Sequence, residues 1–399
     1  MKGVVWPLIV TMAIQALVSL VVYAPPVLAP VAHGDIGFPA AWIGVLTALT
    51  FSAATFGALF SGGIIARTGA LRISQFSLLL CGTGIALIST ANPWLVALGA
   101  LTMGLGYGPV TPSSSAILAE RTPERIRSFI FSLKQTGVPI GGALAGAIVP
   151  ALIVTSGWRT GALIVGLACA ALALAIQPYR AAVDLTHHFS RPVKPASLLE
   201  PLRIVLGDPR LREMGFASST YSGMQACLST YMVVYLTQRV GFSVQIAGAA
   251  LATAMAAGVI ARIAWGVLAD NWFKPRSLLG VIGLGMSAAA FLTACFSEMW
   301  PLAAIFVVSA VYGAMAIGWN GVYLSEVARI APPGKAAAAT GASLAMTYAG
   351  VVALPIMFWA IVALSDSYAA AFIAAGCITL WRGSYFFRQD SINSHGRER

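Results

Sequence analysis

Charge is what this sequence has least of. Only 9% of its 399 residues are charged, while 58% are hydrophobic and the mean hydropathy is +0.84. A soluble chain carries about 25% charged residues, so the soluble globular class is excluded and the chain belongs in a membrane. Carboxylates are scarcer still, 13 against 24 lysines and arginines. The histidines are His33, His187, His188 and His395, all in loops, span ends or the tail, so no intramembrane histidine is available for acid-base enzymology. Cys81, Cys169, Cys227, Cys295 and Cys377 fall in different apolar stretches with no CxxC spacing, which leaves neither a metal site nor a redox pair. No GxxxxGK[ST] occurs, which excludes ATP hydrolysis by this chain. An enzyme is therefore not expected, and neither is a metal or a cofactor.

What is present is a series of apolar stretches of about 20 residues, the length that crosses a hydrocarbon core. Twelve are found, centred near residues 17, 53, 81, 106, 140, 168, 225, 256, 286, 314, 350 and 377. The first ends in "VLAPVAHG", which resembles a signal-peptidase site, but it is too long for an h-region and eleven more follow, so it is read as a retained span. Positive residues gather in cytoplasmic loops. With both termini inside, 20 of the 24 cations are cytoplasmic, Arg159 and Arg239 are outside, and Lys134 and Arg262 fall within spans. A bacterial inner (cytoplasmic) membrane is the expected location. The net charge of +11 then reflects loop bias and contact with anionic lipid, and calls for no nucleic-acid partner.

Between Gln177 and Leu211 the sequence becomes polar, proline-rich and basic, the composition of a linker. It divides the chain into a six-helix bundle over 1–178, a cytoplasmic linker over 179–210, and a second six-helix bundle with a tail over 211–399. His187 and His188 read as solvated linker residues, and "ASLLEPLRIVL" as a short interfacial helix. The halves repeat: "GGIIARTGALR" (Gly62 to Arg72) answers "GVLADNWFKPR" (Gly266 to Arg276) at an offset of 204, and "AILAE" (Ala116 to Glu120) answers "VYLSE" (Val322 to Glu326) at 206.

These loops resemble the G-x-x-x-D-R-x-G-R-R signature of the major facilitator superfamily, with a weaker second copy. The first copy keeps Gly62, Arg67, Gly69 and Arg72 but has Ala66 in place of the aspartate; the second keeps Gly266 and Asp270 and loses the residues that follow. "SGWRTG" (Ser156 to Gly161) and the glycine-rich fifth span are similar to that superfamily as well. The resemblance covers essentially the whole chain. It implies an all-α membrane protein of twelve transmembrane helices in two six-helix bundles around a central cavity, working by alternating access. Arg67, Arg72, Glu120, Asp270 and Glu326 lie at the cytoplasmic ends of spans, where they are expected to form gating pairs that break as the protein rocks; the plainer alternative is that they only set topology.

Lys134 lies seven residues past Arg127 and Arg262 eight before Asp270, so at 1.5 Å per residue each sits about 10–12 Å inside the membrane. A long stem can carry such a charge back toward the interface, but an ionisable residue within a span is a functional candidate by default. Of the acids, Asp35, Glu298 and Asp366 lie outside and the other ten are assigned to cytoplasmic loops, span ends, linker or tail. No carboxylate remains at the midplane for Lys134 or Arg262, and the missing counter-ion is best supplied by the substrate, an anion held by charge-assisted bonds. Arg262 is similar to the substrate-binding arginine in the eighth span of monocarboxylate transporters and of the oxalate/formate exchanger. The lysine differs, standing on the fifth span instead of the first or eleventh.

Around Lys134, Gly137, Gly141, Gly142 and Gly146 give two GxxxG spacings suited to close helix contact. "GLGYGPVTPSSS" (Gly104 to Ser115) carries Pro109 and Pro112; a kinked fourth span is expected, with Ser113 to Ser115 either lining a cavity or bonding their own backbone. Tyr23 and Gln15 in span one, Tyr107 in span four, Tyr221 and Gln225 in span seven, Trp319, Asn320 and Tyr323 in span ten and Tyr348 in span eleven complete the candidates. Spans one, four, seven and ten line the cavity in the superfamily, which favours Tyr23, Gln225, Asn320 and Tyr323. The expected function is secondary transport of a small organic anion, a carboxylate and, given the tyrosines and tryptophans, an aromatic one, by proton symport or anion exchange, in a monomer. The alternative is a proton-driven drug or metabolite exporter, which the fifth-span glycines suit but which usually carries an acid in span one and an arginine in span four, both missing here.

Overall fold

A computed structural model of the chain describes residues 2–123, 126–184, 205–331 and 336–395. Among these residues there is no strand. Twelve spans run in order. They are Lys2–Ile36; Ile43–Thr68; Ala70–Ile88; Pro93–Tyr107 with Val110–Arg121; Arg127–Gln135 with Gly137–Ser156; Trp158–Ala175; Pro209–Gln238; Val244–Asn271; Pro275–Ala294; Leu302–Gly318 with Asn320–Ile330; Ala336–Ser365; and Tyr368–His395. The helix of span twelve continues to His395, into residues that read as tail in the sequence. "ASLLEPLRIVL", apart from its last two residues, and His187 and His188 lie outside the described residues.

Eleven of the described helices are long and apolar enough to cross a membrane. The seventh span has the length, 30 residues, but carries Ser218, Ser219, Thr220, Ser222, Ser229, Thr230 and Thr237. It is buried along most of its length, so it presents little surface to lipid and can be polar.

Local chemistry sets the span ends. Spans four and seven each begin with proline at the first helical position, behind a side chain that caps the free amides: Asn92 Oδ1 accepts from Trp94 N at 3.0 Å, and Asp208 Oδ1 from Arg210 N at 2.8 Å. Spans two and three, and spans five and six, are separated by one residue each, Gly69 at φ +95° and Gly157 at φ +80°. A reversal that short uses the left-handed backbone that glycine reaches without a Cβ penalty.

The chain forms two compact units, one of Met1–Lys194 with Val244–Ala252, the other of Pro195–Ser243 with Thr253–Arg399. In the first, span one packs on span five, span four on spans two and three, and span three on span six. In the second, span seven packs on span eleven, and span nine on spans ten and twelve. Glycines set the tightest contacts. A Cβ on Gly141 would fall on the carbonyl oxygen of Ala16, and one on Gly104 on that of Thr50; in the second unit the same holds for Gly350 against Ser219 and Gly313 against Ala254.

Candidate functional site

Three spans are broken within their lengths, and the breaks position the candidate residues. Span four is interrupted at Gly108 and Pro109, span five at Thr136 and span ten at Trp319. The first follows from the proline. At the second, Thr136 Oγ1 donates to Leu133 O at 2.6 Å, a bond that competes with the helix ladder.

In the first unit, Lys134 stands one turn before Gly137, on the short helical segment that ends at the span-five break. It is 1% exposed, so its ammonium does not reach the surface. Its Nζ donates to the neutral Oε1 of Gln135 at 3.3 Å, and among the described residues no carboxylate pairs with it. Gln15 of span one lies alongside: a Cβ on Gly137 would stand 3.0 Å from Gln15 Cβ. Thr111, just past the span-four break, donates to Gln15 Oε1 at 3.4 Å. The break in span four thus delivers a threonine, while Ser113 and Ser114 donate to their own helix carbonyls, Pro109 O at 2.8 Å and Val110 O at 2.7 Å. Tyr23 is buried, and half-buried Tyr107 meets Phe51 edge-on with ring centres 5.8 Å apart.

In the second unit, half-buried Arg262 donates to Ile317 O at 3.0 Å, two residues before the span-ten break. Trp265 Nε1 donates to Ala314 O at 3.0 Å, tying span eight to span ten again. At the break itself Trp319 is fully buried between Tyr221 and Tyr323, with ring centres at 5.8 and 5.3 Å. Its indole N–H is buried with no acceptor. Tyr221 is committed to packing, its hydroxyl donating to Leu279 O at 2.7 Å. Asn320 and Gln225 are half-buried. A cavity of about 270 Å³ in the first unit, lined by residues such as Pro25, His33, Trp42 and Trp94, includes none of the expected site residues.

Two charged residues that the sequence assigned to span ends are buried. Arg382 is 3% exposed within span twelve, and Glu213 is 6% exposed in span seven. Glu213 pairs with Arg276 and, at 3.6 Å, with Arg382, whose guanidinium also donates to the Glu213 carbonyl. The count of charges inside spans is corrected accordingly. A third buried cation exists, and it differs from Lys134 in having a carboxylate. The rings of Tyr385 and Phe386 lie beside it, with centres 5.0 Å from the guanidinium of Arg382.

A model of the family described as Major Facilitator Superfamily matches residues 11–355. The chain belongs to the Major Facilitator Superfamily. Over 356 residues it is 25% identical to the gentisate transporter of Corynebacterium glutamicum, covering 85% of this chain and 77% of that protein. It is 32% identical to the 4-hydroxybenzoate transporter of Pseudomonas aeruginosa over 151 residues, which span 37% of this chain and 34% of the relative. Among solved structures it is similar to a bacterial homolog of the human lysosomal transporter Spinster, with a TM-score of 0.78 at 16% identity and 96% of both chains covered; that likeness concerns the fold.

Within this superfamily member the loop between spans two and three is held by a residue of the linker. Asp184 accepts from Leu71 N at 2.9 Å and Arg72 N at 3.0 Å, capping span three, and pairs with Arg180 at 3.8 Å. A side chain at Gly69 would collide with it. Arg67 is exposed, and Arg72 lies 5.8 Å from the Phe76 ring centre. Glu120 stands 3.9 Å from its neighbour Arg121. In the second unit Glu326 is fully buried and grips Arg329 by two bonds of 2.7 and 2.8 Å. Asp270 is exposed.

Proposed function

We propose that this protein is a secondary transporter of small aromatic monocarboxylates, working by alternating access and driven by proton symport or anion exchange. One observation carries the reading: Lys134 is buried with a neutral hydrogen-bond partner, and among the described residues no carboxylate pairs with it. An uncompensated buried ammonium is costly, and a fold retains it most economically when the substrate itself supplies the negative charge. The fully buried N–H of Trp319 is a further donor awaiting an acceptor. Arg262 of the second unit is the second candidate cation, and Gln225, Asn320, Tyr323, Tyr23 and Tyr107 are the further candidates for substrate contact. The names of the gentisate and 4-hydroxybenzoate transporters support the aromatic class.

Arg67, Arg72, Glu120, Asp270 and Glu326 belong on this reading to the cytoplasmic gate, and both termini face the cytoplasm of a bacterial inner membrane. On this reading the protein works as a monomer.

The test is uptake of labelled benzoate and 4-hydroxybenzoate into vesicles reconstituted with the purified protein, with an imposed pH gradient and with internal unlabelled acid. Uptake that follows either driving force and disappears in Lys134→Ala supports the reading. Uptake of lipophilic cations instead, unaffected by Lys134→Ala, would replace it with an exporter.

A further inference from the structure

Spans four and ten correspond in the sequence repeat and both are broken, but by different means. In span four the break is written into the chain: Pro109 has no N–H, so the carbonyl of Leu105 loses its ladder partner permanently. Span two meets that carbonyl with a glycine, Gly57, whose Cβ would stand 2.9 Å from it. The 204-residue offset sets Ala58 and Ser61 of span two against Arg262 and Trp265 of span eight, and Ser61 Oγ donates to Ala58 O of its own helix at 2.7 Å. Span ten contains no proline at its break. Trp319 keeps helical backbone angles there, φ −65° and ψ −26°, yet its amide makes no ladder bond among the described residues.

What opens span ten comes from span eight. Arg262 Nη2 donates to Ile317 O and Trp265 Nε1 to Ala314 O, each at 3.0 Å. These two carbonyls flank Met315, whose oxygen is the acceptor that the Trp319 amide would use in a closed ladder. Side chains inserted at a helix ladder are a recognised cause of a kink. The seam is tight around them: a Cβ on Gly313 would fall on Ala254 O, one on Gly258 would stand 2.5 Å from Ile317 Cβ, and one on Gly318 2.6 Å from Trp265 Cδ1. Ala254, Gly258, Arg262 and Trp265 recur every three or four residues and so share one face of span eight. A proline break is permanent, whereas a break held by a side chain lasts only while that side chain stays. Arg262 is half-buried, which leaves part of it open to a ligand.

We propose that Arg262 is a positioning residue that holds span ten open, and that a carboxylate captured by Arg262 releases Ile317 O so that the ladder closes and the second segment of the span realigns. The proposal rests on the organic-anion reading above and gives Arg262 a task beyond that of a second cation. A carboxylate offers the planar guanidinium two parallel charge-assisted bonds where the carbonyl offers one. The amide placed to take up Ile317 O in a closed ladder is that of Gly321, four residues on. The segment that realigns, Asn320–Ile330, carries Tyr323 and the Glu326–Arg329 pair, so closing the break transmits ligand capture to the far end of the span. Span four, fixed by Pro109, has no such freedom.

The experiment compares full-length wild type, Gly321→Pro, Gly321→Ala and Arg262→Met, reconstituted in vesicles for benzoate uptake and purified for benzoate binding and amide hydrogen exchange. Proline at 321 removes the amide that must reclaim Ile317 O, and it falls in the first turn of the second segment, where proline is accommodated. A Cβ there meets only Arg262 O, at 3.9 Å. Gly321→Pro is expected to bind benzoate within about twofold of wild type while its uptake rate falls about tenfold or more; Gly321→Ala transports as wild type does. Saturating benzoate should slow exchange of the Trp319 amide in wild type and leave it unchanged in Gly321→Pro, and Arg262→Met should show the slow exchange without benzoate. Gly321→Pro that transports like Gly321→Ala, or a wild type that binds benzoate with no change at Trp319, overturns the proposal while leaving the anion reading intact. If Gly321→Pro does not fold, Arg262→Met decides: slow exchange without benzoate supports the hinge, and exchange as in the ligand-free wild type refutes it. Failure of the anion reading looks different, because then benzoate binds to none of the four proteins.

Discussion

In the first bundle Gly141 lies on the backbone carbonyl of Ala16, and in the second Gly350 lies on that of Ser219. Gly104 on Thr50 and Gly313 on Ala254 form a second such pair. The far ends match too: Arg159 pairs with Asp35 at 3.2 Å in the first bundle and Arg239 pairs with Asp366 in the second. The two halves diverge in their buried charge. The second holds Glu213 between Arg276 and Arg382, whereas the first holds Lys134 against a neutral amide. One packing scheme thus supports a compensated cluster in one half and an uncompensated cation in the other. The comparison teaches that the same packing scheme tolerates two treatments of buried charge: a carboxylate between two arginines in one half, and a lysine held by a neutral amide in the other.

The shared scheme breaks hardest at the glycines. Gly141→Leu and Gly350→Leu should each prevent the close approach of their spans, with losses of about 3 kcal/mol or more from overpacking; size-exclusion chromatography should show aggregated protein for both, and a well-behaved variant of either would break the symmetry. The charges should then separate the halves by sign. Glu213→Gln leaves two arginines beside a neutral side chain and is expected to cost about 3–5 kcal/mol, read as a large drop in melting temperature. Lys134→Met removes a cation that nothing neutralises, so the ligand-free protein should melt at the same or a higher temperature while losing its response to anions. Arg262→Lys keeps the charge but gives up the planar fork, and should weaken substrate binding by about tenfold with little change in melting temperature. The smallest effects belong to the far-end pairs: Asp35 and Arg159 are about half exposed, and Asp35→Asn should cost about 0.2–1 kcal/mol in denaturant titrations.

Most of the architecture was legible in hydropathy, because a lipid-facing helix must be apolar and a loop need not be. The seventh span shows the limit of that rule: enclosed by other helices, it is rich in serine and threonine. The kink in span four was announced by Pro109, but the break of span ten at Trp319 has no proline and is accompanied instead by Trp265 packed against Gly318, a tertiary contact that the sequence does not display. Lys134 stood out because a lysine in an apolar run has no local explanation. Glu213 and Arg382 did not, since each lies close enough to a span end to pass for a loop charge until their pairing is seen.

The account turns on the claim that the counter-ion of Lys134 is the substrate. The most direct measurement is the melting temperature of wild type and Lys134→Met across concentrations of benzoate, 4-hydroxybenzoate and their neutral amides. The account predicts that the acids stabilise the wild type in a saturable way, that the amides do not, and that Lys134→Met responds to neither. Equal stabilisation of wild type and Lys134→Met by the acids, or of the wild type by acid and amide alike, would contradict it.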